Sequence, residues 1–480
     1  MSIRFWILSL ALLPFFPVAA LGAASGQPAV DPAVLGRIRD VAMQDVWAYQ
    51  HLAELTDEIG PRLSGSTGLE AAIVRIAAAM KEVGATVSLQ PTKVPHWERG
   101  VETADVVEFA GRSTGLNQHL HLAALGDSGA TPANGLTARV LVVHSFEELS
   151  ARAKDAQGKI VVFNMPFDQR LADNGYAGEA YGQAGEERFV GPSAASKLGA
   201  VATLVRSVGD AQYRLPHTGA TEWDAGQTPM PAAALAAEDA QLLDRLAAAG
   251  PVSVHLTLTP RHLPDAESAN VVAEWVGREH PEDVVVVGGH LDSWDLGTGA
   301  IDDGAGVMAA AGVIETLARL GLHPRRTIRF VAFTNEENGG RGGQAYFAAA
   351  SKQPGKTVAA IECDLGAGRA LGVQAAVNSN SMEKLKAVTQ ALSPIGATVL
   401  VRREGVVGSD IRPLQLSGVP GFAPLLDARH YFDYHHTAAD TLDKVDPENL
   451  RSEVATLAVL AYYLAEMPEA LARVTVKDEE

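Results

Sequence analysis

The sequence predicts an α/β fold: a mixed, largely parallel central sheet covered by helices, interrupted by a β-rich insert. Three observations predict it. From about residue 266 onward, short β-branched runs alternate with helical segments. Residues 116–264 break that rhythm with β-like segments of their own. Three of the later strands also end in residues able to bind a metal or move a proton, where open α/β sheets place their sites.

Taken in order, residues 1–24 read as an export signal. Arg4 precedes an apolar run from Phe5 to about Phe16, and Gly22, Ala23 and Ala24 offer a cleavage site. Pro14 and Pro17 disturb the alternative, an uncleaved membrane helix. Residues 34–84 carry apolar positions at helical spacing on both sides of the turn Gly60-Pro61-Arg62, with Ser66 or Thr67 placed to cap the second helical stretch. ATVSLQPTKV, ETADVVEFAG and HLHLAAL then read as short strands.

Within the insert, ARVLVVHS, GKIVVFNM and AVATLVRSVG are strand-like or mixed segments between Gly-rich loops. DAQLLDRLAAAG is helical and VSVHLTLTP strand-like. Beyond it VVVVGGH is a continuous run suited to a strand buried on both faces. The alternation continues through GAGVMAAAGVIETLARLGL (helix), RTIRFVAFTN (strand), GGQAYFAAASKQ (helix), TVAAIECD (strand) and MEKLKAVTQALSPIG (helix), and the chain closes on a long helical segment.

The chain has 480 residues, of which 47% are hydrophobic and 20% charged, enough for a large core. A net charge of -18 and no dense Lys/Arg cluster argue against a nucleic-acid partner. The single cysteine, Cys363, lies in an apolar segment and reads as a packing residue; no intramolecular disulfide is available to an exported chain.

The strand ends carry the chemistry. VVVVGG ends at His290 with Asp292 two residues on, RTIRFVAFTN ends at Glu336 and Glu337, and TVAAIEC ends at Asp364. Asp302 and Asp303 stand before the next helix, where one can cap it while the other faces the site; Gly304 and Gly306 permit close backbone approach. His435 and His436 follow in the loop YFDYHHTAADT. Imidazole and carboxylate together suit zinc. A two-metal pair needs a shared carboxylate, and a further carboxylate that binds no metal must handle the proton, a division that Glu336 and Glu337 can make.

In YQHLAELTDEIGPRLSGS, GGHLDSWDLGTGAIDDGAG, FVAFTNEENGGRGG, IECDLGAG, GSDIRPLQLSGVPG and YFDYHHTAADT, in this order over nearly the whole mature chain, the sequence resembles the di-zinc aminopeptidase family with a protease-associated insert. The resemblance implies a zinc-exopeptidase fold. Residues 25–115 and 265–480 would form the peptidase domain, and residues 116–264 the protease-associated insert. It implies two Zn2+ per chain, with His290 and Asp364 on the first, Glu337 and His436 on the second, and Asp302 bridging. His435 is the weaker candidate for the second zinc. Glu336 would be the catalytic base, and Asp292 would orient the His290 ring.

The resemblance further implies hydrolysis of small peptides, above all dipeptides with a free amino end, an exported (secreted or periplasmic) enzyme without membrane attachment after signal cleavage, and a homodimer. Relatives carry a tyrosine that helps hold the oxyanion where this chain has Val406, which leaves Tyr431, Tyr434 or a backbone N–H for that task. Ser409 and Asp410 match the family's motif without a derivable role. His217 could approach the cleft from the insert, although a surface loop is the default for such a histidine. The rival readings are a single-zinc glutaminyl cyclase-like enzyme and a non-catalytic binding ectodomain of the same fold.

Overall fold

The computed structural model describes residues 30–353 and 356–478. The expected export signal, residues 1–24, lies outside the described residues. No helix among the described residues is long and apolar enough to cross a membrane.

Two eight-stranded sheets organise the chain. In chain order the strands are β1 (Thr86–Glu98), β2 (Glu102–Glu108), β3 (Gln118–Leu120), β4 (Leu122–Ala124), β5 (Leu136–Val143), β6 (Ile160–Phe163), β7 (Ala202–Arg206), β8 (Ala232–Leu235), β9 (Ser253–Leu258), β10 (Arg261–Trp275), β11 (His280–His290), β12 (Arg326–Phe333), β13 (Thr357–Glu362), β14 (Ala370–Ala376), β15 (Val399–Arg402) and β16 (Gly421–Leu426). The main sheet runs β1-β10-β12-β11-β13-β16-β14-β15. Its four central strands, β12, β11, β13 and β16, are mutually parallel, while β1, β10 and β14 pair antiparallel to their inner neighbours. The chain leaves β11 for β12 on one side and later returns to β13 on the other, so strand order reverses at β11. In sheets of this kind that reversal opens a crevice at the carboxyl ends.

The continuous valine run of β11 serves two cores at once. Val285 and Val287 point into a large cluster with the helices Ala305–Leu320 and Pro447–Glu466, whereas Val284 and Val286 face a smaller cluster with Tyr346, Ile411 and Leu414. Side chains alternate across a strand, so a strand covered on both faces must be apolar at every position. Ser66 is the residue that caps the helix Thr67–Glu82, accepting from the Leu69 N–H at 3.2 Å.

The second sheet, β3-β2-β9-β5-β6-β7-β8-β4, draws all its strands from residues 102–258. It begins upstream of the expected boundary at 116: Glu102–Glu108 pairs with β9 and so lies in this sheet. Three helices, Gln169–Asp173, Ala177–Phe189 and Gly191–Lys197, stand where the sequence suggested Gly-rich loops. Gly178, Gly182 and Gly185 lower the helix propensity of the middle one, and burial of Ala177, Ala180 and Ala184 against the main core outweighs that. In the main sheet, β14, β15 and β16 were also not anticipated. Pro424 lies inside β16, and this strand makes only two register pairs with β13.

Glu315 is a strained feature of this packing. It sits on the nearly all-buried helix Ala305–Leu320, and its side chain is 13% exposed. Burial, and next the Asp45 carboxylate, raise it from 4.5 to about 7. The folded chain therefore keeps a proton that the unfolded chain sheds from about pH 4.5 upward, and stability falls as pH rises through that window. Glu315→Gln removes the penalty. Its melting temperature should exceed that of the parent at pH 8 by a few degrees, with the gap closing near pH 5, as thermal scans at the two pH values will show.

Candidate metal centre

The four central parallel strands each deliver part of one site. β11 ends on His290, β12 leads to Glu336 and Glu337, β13 leads to Asp364, and β16 leads to His435 and His436. Asp302 comes from the turn before the helix Ala305–Leu320 and is joined to Asp303 by a cis peptide bond. His290, Asp302 and Asp364 offer ligand atoms within 4.8 Å of one another, and so do Asp302, Glu337 and His436. Asp302 belongs to both groups. Its Oδ1 lies 3.2 Å from His290 Nε2, and its Oδ2 lies 3.0 Å from His436 Nε2.

The protonation pattern fits cations there. His290 Nδ1 is 2.9 Å from the Asp292 carbonyl, and His436 Nδ1 is 3.3 Å from the Thr218 carbonyl. A carbonyl only accepts, so each Nδ1 carries a proton and each Nε2 is the atom free to offer a lone pair to a metal. Those Nε2 atoms face carboxylate oxygens: Asp364 Oδ1 at 3.4 Å from His290, and Glu337 Oε2 at 2.9 Å from His436. Asp302 Oδ2 is buried without a hydrogen bond. Ligand atoms converging in this way need positive charge between them, supplied by a metal or, without one, by protons. Ligands bonded to zinc at about 2.0–2.2 Å stand roughly 3.3–3.6 Å apart in a tetrahedron, so the spacings seen need open only slightly.

The electrostatics agree. Burial alone would lower His290 and His436, yet Asp364 and Glu337 respectively hold them well above the usual histidine range. Burial raises Glu337 to about 8 and Asp364 to about 6. The cluster thus takes up protons in place of cations, and metal binding would release them.

Surrounding residues hold this geometry. The Asp303 carboxylate accepts from the His290 N–H at 3.0 Å. A Cβ at Gly289 or Gly306 would come within 2.2 Å of the Asp303 carboxylate, so both glycines are needed for the approach. Neither aspartate caps the helix, contrary to expectation: Gly304 is the N-cap, and no side chain bonds there. Asp440 instead accepts from the Ala300 and Ile301 N–H groups at 2.8 and 2.7 Å and secures the turn.

Asp292 acts differently from the expectation too. The His290 ring is held by the Asp292 main-chain carbonyl, while the Asp292 carboxylate accepts from the N–H groups of Glu336 and Glu337 at 3.1 and 3.3 Å. It therefore aims both glutamates. Glu336 lines the cavity of about 260 Å³ above the metal residues, and no hydrogen bond or ion pair engages its carboxylate among the described residues. Tyr431 lines this cavity; Tyr434 does not, and Val406 lines a neighbouring one. Ser409 N–H and Oγ–H donate to Glu362, two residues before Asp364, and the Asp410 carboxylate is buried without a partner.

His217 is buried at the site and not on a surface loop. Its Nε2 is 2.8 Å from His435 Nδ1, and His435 Nε2 is 3.2 Å from Asp302 Oδ2. His217, His435 and His436 also group closely. They do not suit a third metal, because the His217–His435 nitrogens face each other and His436 Nδ1 is taken by Thr218. Thr218 N–H in turn donates to the His436 carbonyl at 3.0 Å.

Arg62, a turn residue by its sequence context, has a larger part in the structure. It is fully buried and donates to the carbonyls of Leu291, Gly60, Thr298 and Gly299, knotting the turn to the loop after β11. Burial lowers it only to about 10, so it stays charged at neutral pH. Arg62→Met should cost about 3–5 kcal/mol of stability in urea titrations, since four carbonyls lose their donor. His290→Ala should remove one bound metal and leave the Glu337–His436 side loaded, and His436→Ala the reverse. Elemental analysis of each variant checks this, and equal loss from both variants would mean the ligands are wrongly divided.

The comparisons with known proteins come to the same place. The model of "Peptidase family M28" matches residues 270–461. Carboxypeptidase Q from Bos taurus is 38% identical over 431 residues, 89% of this chain and 87% of that protein. The Homo sapiens carboxypeptidase Q is 38% identical over 432 residues, with the same coverage. The crystal structure of a peptidase M28 precursor from Shewanella amazonensis superposes with a TM-score of 0.87 at 33% identity, covering 93% of this chain and 99% of the other. A zinc aminopeptidase from Bacillus subtilis shares the fold, with a TM-score of 0.61 at 21% identity over 90% of this chain and 98% of that one. With relatives 38% identical over 89% of its length, the chain belongs to peptidase family M28.

Proposed function

We propose that the chain is a zinc-dependent exopeptidase that works with two zinc ions on short peptides with a free amino end. One observation carries the two-metal reading: the two oxygens of Asp302 are divided between the two ligand groups. A single-zinc cyclase-like centre has no need of that division. The names of the relatives, carboxypeptidase Q and a zinc aminopeptidase, support zinc and peptide-end hydrolysis.

His290, Asp302 and Asp364 would hold one zinc, and Asp302, Glu337 and His436 the other. Bound zinc supplies a lowered water pKa and a polarised carbonyl. The chain's own residues do the rest. Glu336 receives the proton of the attacking water and returns it to the departing nitrogen. Asp292 keeps the Glu336 backbone at the strand end, so that the carboxylate faces the cavity. Tyr431, buried in the cavity wall, would be the hydroxyl that donates to a developing oxyanion. Cys363 takes no part; it is buried and donates to Glu453.

An export signal over residues 1–24 would deliver the enzyme outside the cytoplasm, secreted or periplasmic, and the inserted second sheet would act as the protease-associated cap. Glu336→Gln should lower kcat by about 10³-fold or more while bound zinc stays at the parent level. Steady-state kinetics on an unblocked dipeptide, paired with elemental analysis, test this; metal loss in the variant would end the assignment of Glu336 as base.

A further inference from the structure

The cavity above the metal residues has a cation built into its wall. Arg188, near the end of the insert helix Ala177–Phe189, lines the same space as His290, Glu336 and Asp364. It is 2% exposed. Its guanidinium lies 4.4 Å from the Phe189 ring and 5.3 Å from the Tyr181 ring. Among the described residues no carboxylate pairs with it. Nη1 donates to the Thr218 carbonyl at 3.4 Å, and Nε has no partner. Arg62 shows the contrast: equally buried, it spends its donors on four carbonyls.

A buried guanidinium has five N–H donors to satisfy, and ring faces recover only part of its lost hydration. Such a group is expected where a ligand brings the missing anion. Arg188 is the one Lys or Arg in the cavity lining among the described residues, and the carboxyl groups there, Asp302, Glu336, Glu337 and Asp364, already belong to the metal and proton-transfer set. Arg188 and the metal residues line one cavity of about 260 Å³, so a substrate held at both is short.

We infer that Arg188 is the anchor for the free C-terminal carboxylate of a dipeptide-sized substrate. The inference rests on the peptidase reading above and adds the residue that recognises the far end of the substrate. A carboxylate matches the guanidinium fork with two parallel N–H···O bonds, an arrangement that an amide cannot copy. With one end of the substrate held by Arg188 and its scissile carbonyl at the metal residues, the insert would set substrate length.

The test uses the zinc-loaded mature chain and a panel of unblocked dipeptides, each with its C-terminal amide. The parent should show kcat/KM about a hundredfold higher for acid than for amide. Arg188→Met should bring that ratio close to one, mainly through KM for the acid, and Arg188→Lys should keep part of it. A parent that cuts acid and amide equally well overturns the anchor, as does an Arg188→Met variant that loses both equally. If Arg188→Met does not fold, the parent's own acid-to-amide ratio decides. Should the loaded parent cut no acid, no amide and no aminoacyl arylamide, the peptidase reading falls and takes the anchor with it; cleavage with no acid preference defeats the anchor alone.

Discussion

Everything at the centre depends on one buried carboxylate being held between the Nε2 atoms of two imidazoles. Asp302 presents one oxygen to His290 and the other to His436. The turn that carries this carboxylate is fixed from outside. Asp440 grips the two preceding N–H groups, Arg62 draws the Thr298 and Gly299 carbonyls inward, and Asp303 ties the following residue to the His290 backbone. These holders come from three distant parts of the chain. The site is thus a product of the closed fold and not of any one loop.

The insert belongs to that closure. Thr218 exchanges two contacts with His436, its carbonyl facing the ring Nδ1 and its N–H bonding the His436 carbonyl. His217 sets the His435 ring, which in turn lies against Asp302. One metal-ligand candidate is therefore aimed by a segment nearly 220 residues earlier in the chain. Separating the insert from the main sheet would disturb metal geometry as well as access to the cleft.

Much of this was legible in the sequence. His290, Glu336, Glu337 and Asp364 announce themselves because each follows an apolar run, and a doubly covered parallel strand requires such a run. Asp302 and the His435–His436 pair stand out as ligand types in loops beside those strands. What stayed hidden has physical causes. β16 is short and contains a proline, so local propensity speaks against it, although burial of Phe422 and Leu426 makes it a central strand. Gly178, Gly182 and Gly185 conceal the helix that carries Tyr181 and Arg188. Arg62 reads as a turn residue because its four acceptors include three more than 220 positions away. Asp440, four residues past His436, could have been suspected from the buried character of that loop. The choice of the Asp292 main chain, and not its carboxylate, to hold His290 has no sequence signature.

The most direct test of the account is bound zinc per chain, measured by elemental analysis on protein purified without chelators and re-equilibrated with zinc at neutral pH. A shared Asp302 predicts a ratio of about two. A ratio that saturates at one would contradict the bridged centre, and a ratio near zero that added zinc cannot raise would contradict the metal reading altogether.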